Sequence, residues 1–428
     1  GLSVVFAIFL SSLHFTSLQI GALISATLIE DALLTGAASM IASRFGLKPI
    51  LLVASFLIAL SGALLACNTN PWIVAAIAIF GIISPAGFEG GPFGALEQTY
   101  IAKFVSADRL TKAYSTYNLT GFAGAAFGAL LSGLTFNFLS KTHPGAAYQV
   151  IFLAYCAGGI TLMALYGSLK KEGINFSPNQ SRSDLSRTAL SILGNPNDSA
   201  KEQNTKPKLP RIMWTFGALQ GLDAFGGGFV PQTLISYWFY ERFAAGPEFT
   251  GPVFFLTYLF AALSLFISPW ICKRFGLLNT MVFTHLPCSI TLCLMPFMPS
   301  AFLAGLLLVS RSLFSSMDIP ARQAYSMLVV DEQNRAGVAG LSAAARSTGQ
   351  CAAPLVSGLV LANTFSGLPF FCAGACKTIY DIVLLVAFKD VPLITKDQEL
   401  ILPEKPEPDH HAAAHQSLHI TDRSSVRR

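Results

Sequence analysis

Twelve apolar runs follow one another along the chain, at about 1–12, 18–42, 49–67, 71–97, 114–137, 147–168, 211–238, 249–271, 279–297, 300–321, 338–363 and 367–388. A helix that crosses a bilayer needs about 20 mostly apolar residues, and eleven of the runs reach or approach that length. The run at 1–12 is about half a span, so the first helix reads as cut off at its front. No charged segment precedes it, which excludes a signal peptide. In hydrocarbon every backbone polar group needs an internal partner, so the chain is expected to be an all-α membrane protein.

Composition agrees with that constraint. Of the 428 residues, 53% are hydrophobic and only 12% charged, against about 25% charged in soluble domains. Disordered chains and ordinary soluble enzymes are excluded. Two polar stretches interrupt the pattern. Residues 169–210, with SPNQSRSDLSR and NPNDSAKEQNTKPK, read as a solvated linker, and 393–428 as a disordered tail with Pro403, Pro406 and Pro408. The expected organisation is an N-terminal six-helix half at 1–168, the linker at 169–210, a C-terminal six-helix half at 211–392 and the tail.

The net charge of +5 suggests a nucleic-acid partner until the charges are placed. Of 28 Lys and Arg, 22 fall on the side of the linker and tail, only Lys141 and Arg242 on the other, and four within runs. That is the positive-inside pattern, so both termini and the linker are expected to be cytoplasmic and nucleic-acid binding is not expected. A plasma membrane is favoured over an organelle. Trp72, Trp238 and Tyr240, near run ends, read as interfacial anchors.

The two halves repeat. Ser43-Arg44-Phe45-Gly46-Leu47 after the second run returns as Lys273-Arg274-Phe275-Gly276-Leu277 after the eighth, 230 residues later. Gln98-Thr99-Tyr100 returns as Gln323-Ala324-Tyr325, and Gly124 and Gly133 return as Gly349 and Gly358, each at an offset of 225. Two six-helix halves related by a pseudo-twofold axis would enclose a cavity between them. Gly121, Gly124, Gly128 and Gly133 have the spacing of close helix packing.

The paired Arg-Phe-Gly loops, the 6+6 pattern and the cytoplasmic linker resemble the major facilitator superfamily over about residues 1–392. The segment SMIASRFGLKP at 39–49 is similar to that family's loop between helices 2 and 3, with Arg44, Gly46 and Lys48 matching and Ser43 in place of its acid. GFEGGPFGALEQ at 87–98 resembles a largely uncharacterised, prokaryotic-type branch. Helix 4 has no arginine and helix 5 no proline, which departs from the family's drug–proton antiporters. The resemblance implies alternating access, with Arg44, Gly46, Lys48, Arg274 and Gly276 in latching loops.

Charges at membrane depth cost about 2.5–3.5 kcal/mol each on insertion scales and need partners or a wet cavity. Within the runs lie Glu30, Asp31, Glu89, Glu97, Asp223, Asp318 and Asp381, against Arg311, Arg322, Arg346 and Lys377. Acids outnumber bases, and a buried acid without a partner can carry a proton. Asp223 stands near mid-membrane, ahead of Gly226-Gly227-Gly228 and Pro231, which should break the helix and free backbone groups. Gln220 and Gln232 add hydrogen-bonding groups. Asp223 is expected to bind solute or proton, or to pair with Arg346 or Lys377. Glu89, beside Gly90-Gly91-Pro92, is its counterpart in the first half. Arg311 could clamp an anionic group or bridge to Asp223 or Glu89. Glu97 with Arg109, and Asp318 with Arg322, read as gating or loop-anchoring pairs.

The eight cysteines lack CxxC spacing and read as small buried hydrophobes. His14 and His285 read as solvated and structural, near interfaces. Asp409-His410-His411 with His415 and His419 is a weak metal pattern, and no metal or cofactor is expected. No GxxxxGK[ST] or GxSxG motif occurs. The expected function is secondary transport of a small solute by a monomer using a proton gradient. The rivals are an uncoupled facilitator and a non-transporting receptor or assembly factor on the same fold.

Overall fold

The computed structural model describes residues 1–83, 94, 97, 101, 107–140, 144–169, 209–329, 335–363, 367–391, 393–394 and 400–401. Glu89, the side chains of Arg44 and Arg109, most of the linker and the histidine-rich tail lie outside them.

The helices are α1 (Leu2–Ser12), α2 (Ser17–Phe45), α3 (Leu47–Cys67), α4 (Pro71–Phe80), α5 (Ala107–Leu139), α6 (Pro144–Ser168), α7 (Leu209–Gly228) and α8 (Gln232–Phe243). After them come α9 (Pro247–Phe275), α10 (Leu277–Leu294), α11 (Ala301–Ser315), α12 (Asp318–Leu328), α13 (Arg335–Asn363) and α14 (Leu368–Phe388). Eight of the spans they form are long and apolar enough to cross a membrane. The rest belong to the short helices α1 and α4, the broken pair α7–α8 and the more polar α13. The arrangement is that of an all-α membrane protein with two six-helix halves. One addition to the helices is a small ladder in the tail, where β1 (Leu393–Ile394) pairs antiparallel with β2 (Leu400–Ile401).

Two spans are broken among the described residues. The glycine run ends α7 at Gly228, and α8 starts after Pro231, whose carbonyl accepts from Ile235. The second break, at Ser316–Met317, was not expected. It has a physical cause in Asp318-Ile319-Pro320: proline lacks an N–H and is tolerated only in a first turn, where an acid also suits the helix dipole. At the ends of α2 and α9 the repeated loop glycines, Gly46 and Gly276, take φ of +84° and +80°, which a side chain would strain. Lys48, two residues beyond Gly46, donates to the carbonyls of Gly167 (2.8 Å) and Leu169 and so ties the end of α6 to the start of α3.

The core is divided at one end of the molecule and shared at the other. At the end that carries the α2–α3 and α9–α10 loops, Leu47, Leu51, Ala54 and Ile58 form a core within the first half. Phe216, Met281, Tyr325 and Phe388 form a separate core within the second. Toward the opposite end one core spans both halves, from Val5, Phe9 and Phe152 to Trp238, Phe239 and Phe370. Contacts between the halves follow suit. Ser3 Oγ donates to Gln232 Oε1 (3.1 Å), Ser236 Oγ to the Val4 carbonyl (2.5 Å), and Leu355 N to Ser25 Oγ (2.9 Å).

Backbones also meet directly across the halves. Gly21 of α2 faces Gly358 of α13, and Gly133 of α5 faces Gly251 of α9. A Cβ added to Gly358 would lie 2.9 Å from Gly21 Cα, and one added to Gly251 would lie 2.7 Å from Gly133 Cα. Small residues permit this approach, and van der Waals packing is the main attraction available to helices in lipid. Gly133 and Gly358 therefore serve packing, as their spacing suggested, whereas Gly124 has nothing within 4 Å of its absent side chain.

Trp238 corrects the reading of aromatic anchors. Trp72 is exposed, but Trp238 is 1% exposed, stacked against Phe370 at 4.7 Å between centroids. A span-end position fits an anchor or a plug, and the break before α8 turns this one inward. No disulfide joins the cysteines, and only Cys288 is fully buried.

Candidate functional site

Asp223 lies where the shared core gives way to the core of the second half. Leu219 and Leu222, before it, pack into the latter, and Phe225 and Phe229, after it, pack with the former. Its side chain is buried and fully engaged. Oδ1 accepts from Lys377 Nζ at 2.7 Å, and Oδ2 accepts from Arg322 Nη1 and Arg346 Nη1, both at 2.9 Å. These are charge-assisted bonds of ordinary short length.

The cluster extends on both sides. Arg322 also lies 3.4 Å from Asp318, one helical turn before it. Arg346 Nη1 reaches Gln220 Oε1 at 3.3 Å. His285 of α10 sits behind Lys377, with Nε2 3.4 Å from its Nζ and 3.6 Å from Asp223 Oδ1. His285 Nδ1 is 3.0 Å from Asp381 Oδ1. Three carboxylates thus meet three permanent cations plus one imidazole, contributed by α7, α10, α12, α13 and α14. The local sequence explains part of this. Gly226 and Gly227 leave room on α7, and Lys377 packs its stem against the first, with Cγ 3.2 Å from where a Cβ would stand. Most members are nearly sealed, with Lys377 at 9% and Arg322 at 16% side-chain exposure. Arg346 is the exception at 33%.

The expected residues divide accordingly. Asp223, Arg346, Gln220, Asp318 and Arg322 come together. Asp223 pairs with Arg346 and with Lys377 at once, and Asp318–Arg322, read as a gating pair, belongs to the same network. Arg311 does not reach Asp223. Its Nε is buried with no hydrogen-bond partner among the described residues, and its carbonyl receives the Cys288 thiol at 3.5 Å. Gln232 lies beyond the helix break, where Oε1 accepts from Ser3 and Tyr258. Glu97 accepts from Tyr117 (2.6 Å) and Tyr166. In the first half, both carboxylate oxygens of Glu30 are buried without a hydrogen-bond partner among the described residues, beside Asp31 on α2. Arg274 stands in the last turn of α9, and Gly276 caps that helix ahead of α10.

His285 corrects its own reading. It is 5% exposed and central, not solvated. Its depth was available from sequence: at 1.5 Å per residue it stands about 12 Å along α10 from Leu277. Its partnership with Asp381, 96 residues away, was not. No group of three metal-ligating side chains occurs among the described residues.

Comparison with known proteins places this geometry. The chain is 24% identical over 410 residues to the uncharacterized membrane protein YJR124C of Saccharomyces cerevisiae, covering 92% of this chain and 91% of that one. Its fold is similar to the nucleoside transporter NupG, with a TM-score of 0.67 at 16% identity over 91% of this chain and 94% of that one. It is equally similar to the inward open xylose transporter XylE from E. coli, with a TM-score of 0.67 at 16% identity and 92% of each chain covered. Residues 1–354 match the Major Facilitator Superfamily, and the chain belongs to that family of multi-pass membrane transporters.

Proposed function

We propose that this protein is a secondary active transporter that moves a small solute bearing an anionic group by alternating access, coupled to protons. One observation carries the reading: a buried cluster of three acids and three bases exposes one cation, Arg346, where the cores of the two halves separate. Balanced charge makes the cluster tolerable in a low dielectric, and a guanidinium at its edge offers planar donors to a carboxylate or phosphate. The separated cores at one end and the shared core at the other describe a cleft closed on one side, one of the two states that alternating access requires. Among proteins of similar fold, a human organic anion transporter, MFSD10, gives a TM-score of 0.52 at 16% identity, and a D-xylose–proton symporter gives 0.67 at 13%. The first is in line with the solute class and the second with the coupling ion. Asp223 anchors the cations, Gln220 orients Arg346, and Glu30, Asp31 and Glu89 supply acid groups in the first half. Arg44, Lys48, Arg274, Gly46 and Gly276 serve the loops that reorganise, and the working unit is a monomer.

Thermal shifts of the purified protein with monocarboxylates, phosphate monoesters, nucleosides and sugars test the solute class. At least one anion should stabilise the wild type, and Arg346→Gln should lose about tenfold or more in its apparent affinity. Stabilisation by neutral sugars alone, unchanged in the variant, would refute the anionic reading. The open end of the cleft faces the cytoplasm in this proposal, because the basic loops lie there. In a Cys-free background, a cysteine at position 68 should react with an impermeant maleimide in intact cells and one at position 180 only after permeabilisation. The reverse pattern would invert the orientation.

A further inference from the structure

We infer that His285 is the group that takes up the coupled proton, and that protonated His285 and Lys377 compete for one oxygen, Asp223 Oδ1. The inference rests on the proton-coupled reading above and names a residue that the family signature does not single out.

The geometry is specific about the imidazole. An ammonium has only donors, so the 3.4 Å contact between Lys377 Nζ and His285 Nε2 leaves Nε2 as the acceptor. Nδ1 then holds the hydrogen and donates it to Asp381 Oδ1 at 3.0 Å. In this state His285 is neutral, and the three carboxylates balance the three cations. His285 is the cluster's one imidazole, and so its one side chain with a nitrogen that can both give up and take on a hydrogen.

The change on protonation follows from the same distances. Hydronium in the cleft gives its proton to Nε2: an N–H bond forms there, one O–H bond of the hydronium breaks, and a water molecule leaves. Nε2 can no longer accept from Lys377. It becomes a donor directed at Asp223 Oδ1, 3.6 Å away, the oxygen that Lys377 already holds at 2.7 Å. Two cations now contend for one acceptor, and Lys377 is the one with a flexible stem, lying along Gly226 and Gly227. Displacement of Lys377 loosens the grip on Asp223 that it shares with Arg322 and Arg346. The cluster then carries one positive charge in excess, which an anionic solute at Arg346 would neutralise. Proton and anion therefore favour each other's binding.

The surroundings of His285 contain what this needs. Asp223 faces it from α7, and Arg322 and Asp318 lie on the far side of Asp223 from α12. Lys377, Asp381 and Tyr380 face it from α14, with the Tyr380 ring 5.7 Å away. On α10 itself, Cys288 bonds to the Arg311 carbonyl of α11. On α9, Cys272 lies against Ser268.

The test reads the imidazole itself. The full chain, labelled with [15N]histidine in nanodiscs, is titrated from pH 8 to pH 5 by NMR, with His285 assigned by its loss in His285→Gln. His285 should pass from the Nδ1–H neutral tautomer to the imidazolium. In Lys377→Met the ratio of charged to neutral form at a given pH should rise about tenfold, as expected for loss of a competing cation. Should that variant not fold, Asp381→Asn should lower the ratio by a similar factor, because it removes the acceptor at Nδ1. A His285 that stays neutral to pH 5, or that holds Nε2–H at pH 8, overturns the inference. Transport separates it from the reading beneath. If an anion that stabilises the wild type still drives proton entry into proteoliposomes of His285→Gln, His285 is not the proton site while coupled transport stands. If the wild type shows no anion-driven proton entry but His285 titrates as described, the coupled reading fails and the switch remains.

Discussion

Asp223→Asn should lower the thermal unfolding midpoint of the purified protein more than any other conservative change in the cluster, by about 3–6 °C. The substitution keeps shape and volume but removes the charge that holds Lys377, Arg322 and Arg346 at 2.7, 2.9 and 2.9 Å. The amide also turns one acceptor into a donor aimed at a cation. Removing one partner of a buried ionic group costs about 3–5 kcal/mol, because the remaining charge is left unpaired away from water. For a chain of 428 residues, an unfolding entropy of about 2.1 cal/mol/K per residue sums to about 0.9 kcal/mol/K, so each kcal/mol moves the midpoint by about 1 °C.

The sign can be checked by restoring the balance. In Asp223→Asn with Lys377→Met, a negative and a positive charge leave together. The double variant should therefore be more stable than Asp223→Asn alone, and the two single losses should not add. Unfolding followed by tryptophan fluorescence measures all three. Strictly additive losses would show that Asp223 and Lys377 do not share a network.

Much of this site was legible before any coordinates. Hydrocarbon thickness fixes span length, so the runs stood out. Gly226-Gly227-Gly228 with Pro231 announced its break because each residue weakens a helix for a known reason. Asp223 drew attention by its depth and by the helix break that follows it. Arg346 and Lys377 were expected as alternative partners; that both bind it at once, with Arg322 as a third, was not legible, since the three are 123, 154 and 99 residues away and no helical period links them. The excess of acids over bases could be counted from the sequence, but the pairing that distributes it could not. Three acids are balanced within the cluster of the second half, and the surplus lies with Glu30, Asp31, Glu89 and Glu97 of the first. The break at Ser316–Met317 was overlooked because Pro320 follows it by several residues, and proline marks the helix that starts and not the one that ends. His285 was misplaced for a simpler reason: a lone histidine carries no pattern, and only its depth distinguished it from a surface residue.

The repeat held more than its loops disclosed. Gly21 and Gly251 differ by 230 positions, and Gly133 and Gly358 by 225, the two offsets already seen in the loops and in helix 5. Each glycine of one half meets the counterpart of the other pair's member, so the α2–α13 and α5–α9 seams are the same contact made twice about the pseudo-twofold axis. Both seams lie toward the end where the core is shared. Gly358→Leu or Gly251→Leu should therefore force that end apart without touching the charge cluster. The Cβ has no room, since it would stand 2.9 Å or less from the facing glycine Cα, and both neighbours are backbone, which cannot rotate away. Opening the seam exposes Ser25, which is 6% exposed and bonded to Leu355 N across the α2–α13 contact. With Ser25→Cys in a Cys-free background, maleimide labelling of the purified protein should accelerate about tenfold or more in the Gly358→Leu variant, equivalent to a shift of about 1.4 kcal/mol in the opening equilibrium. Gly124→Leu and Gly36→Leu serve as controls, because neither site has an atom within 4 Å of the added Cβ, and labelling should stay at the parent rate. Equal acceleration in the controls, or none in Gly358→Leu, would mean that the glycine seams do not hold this end of the cleft closed.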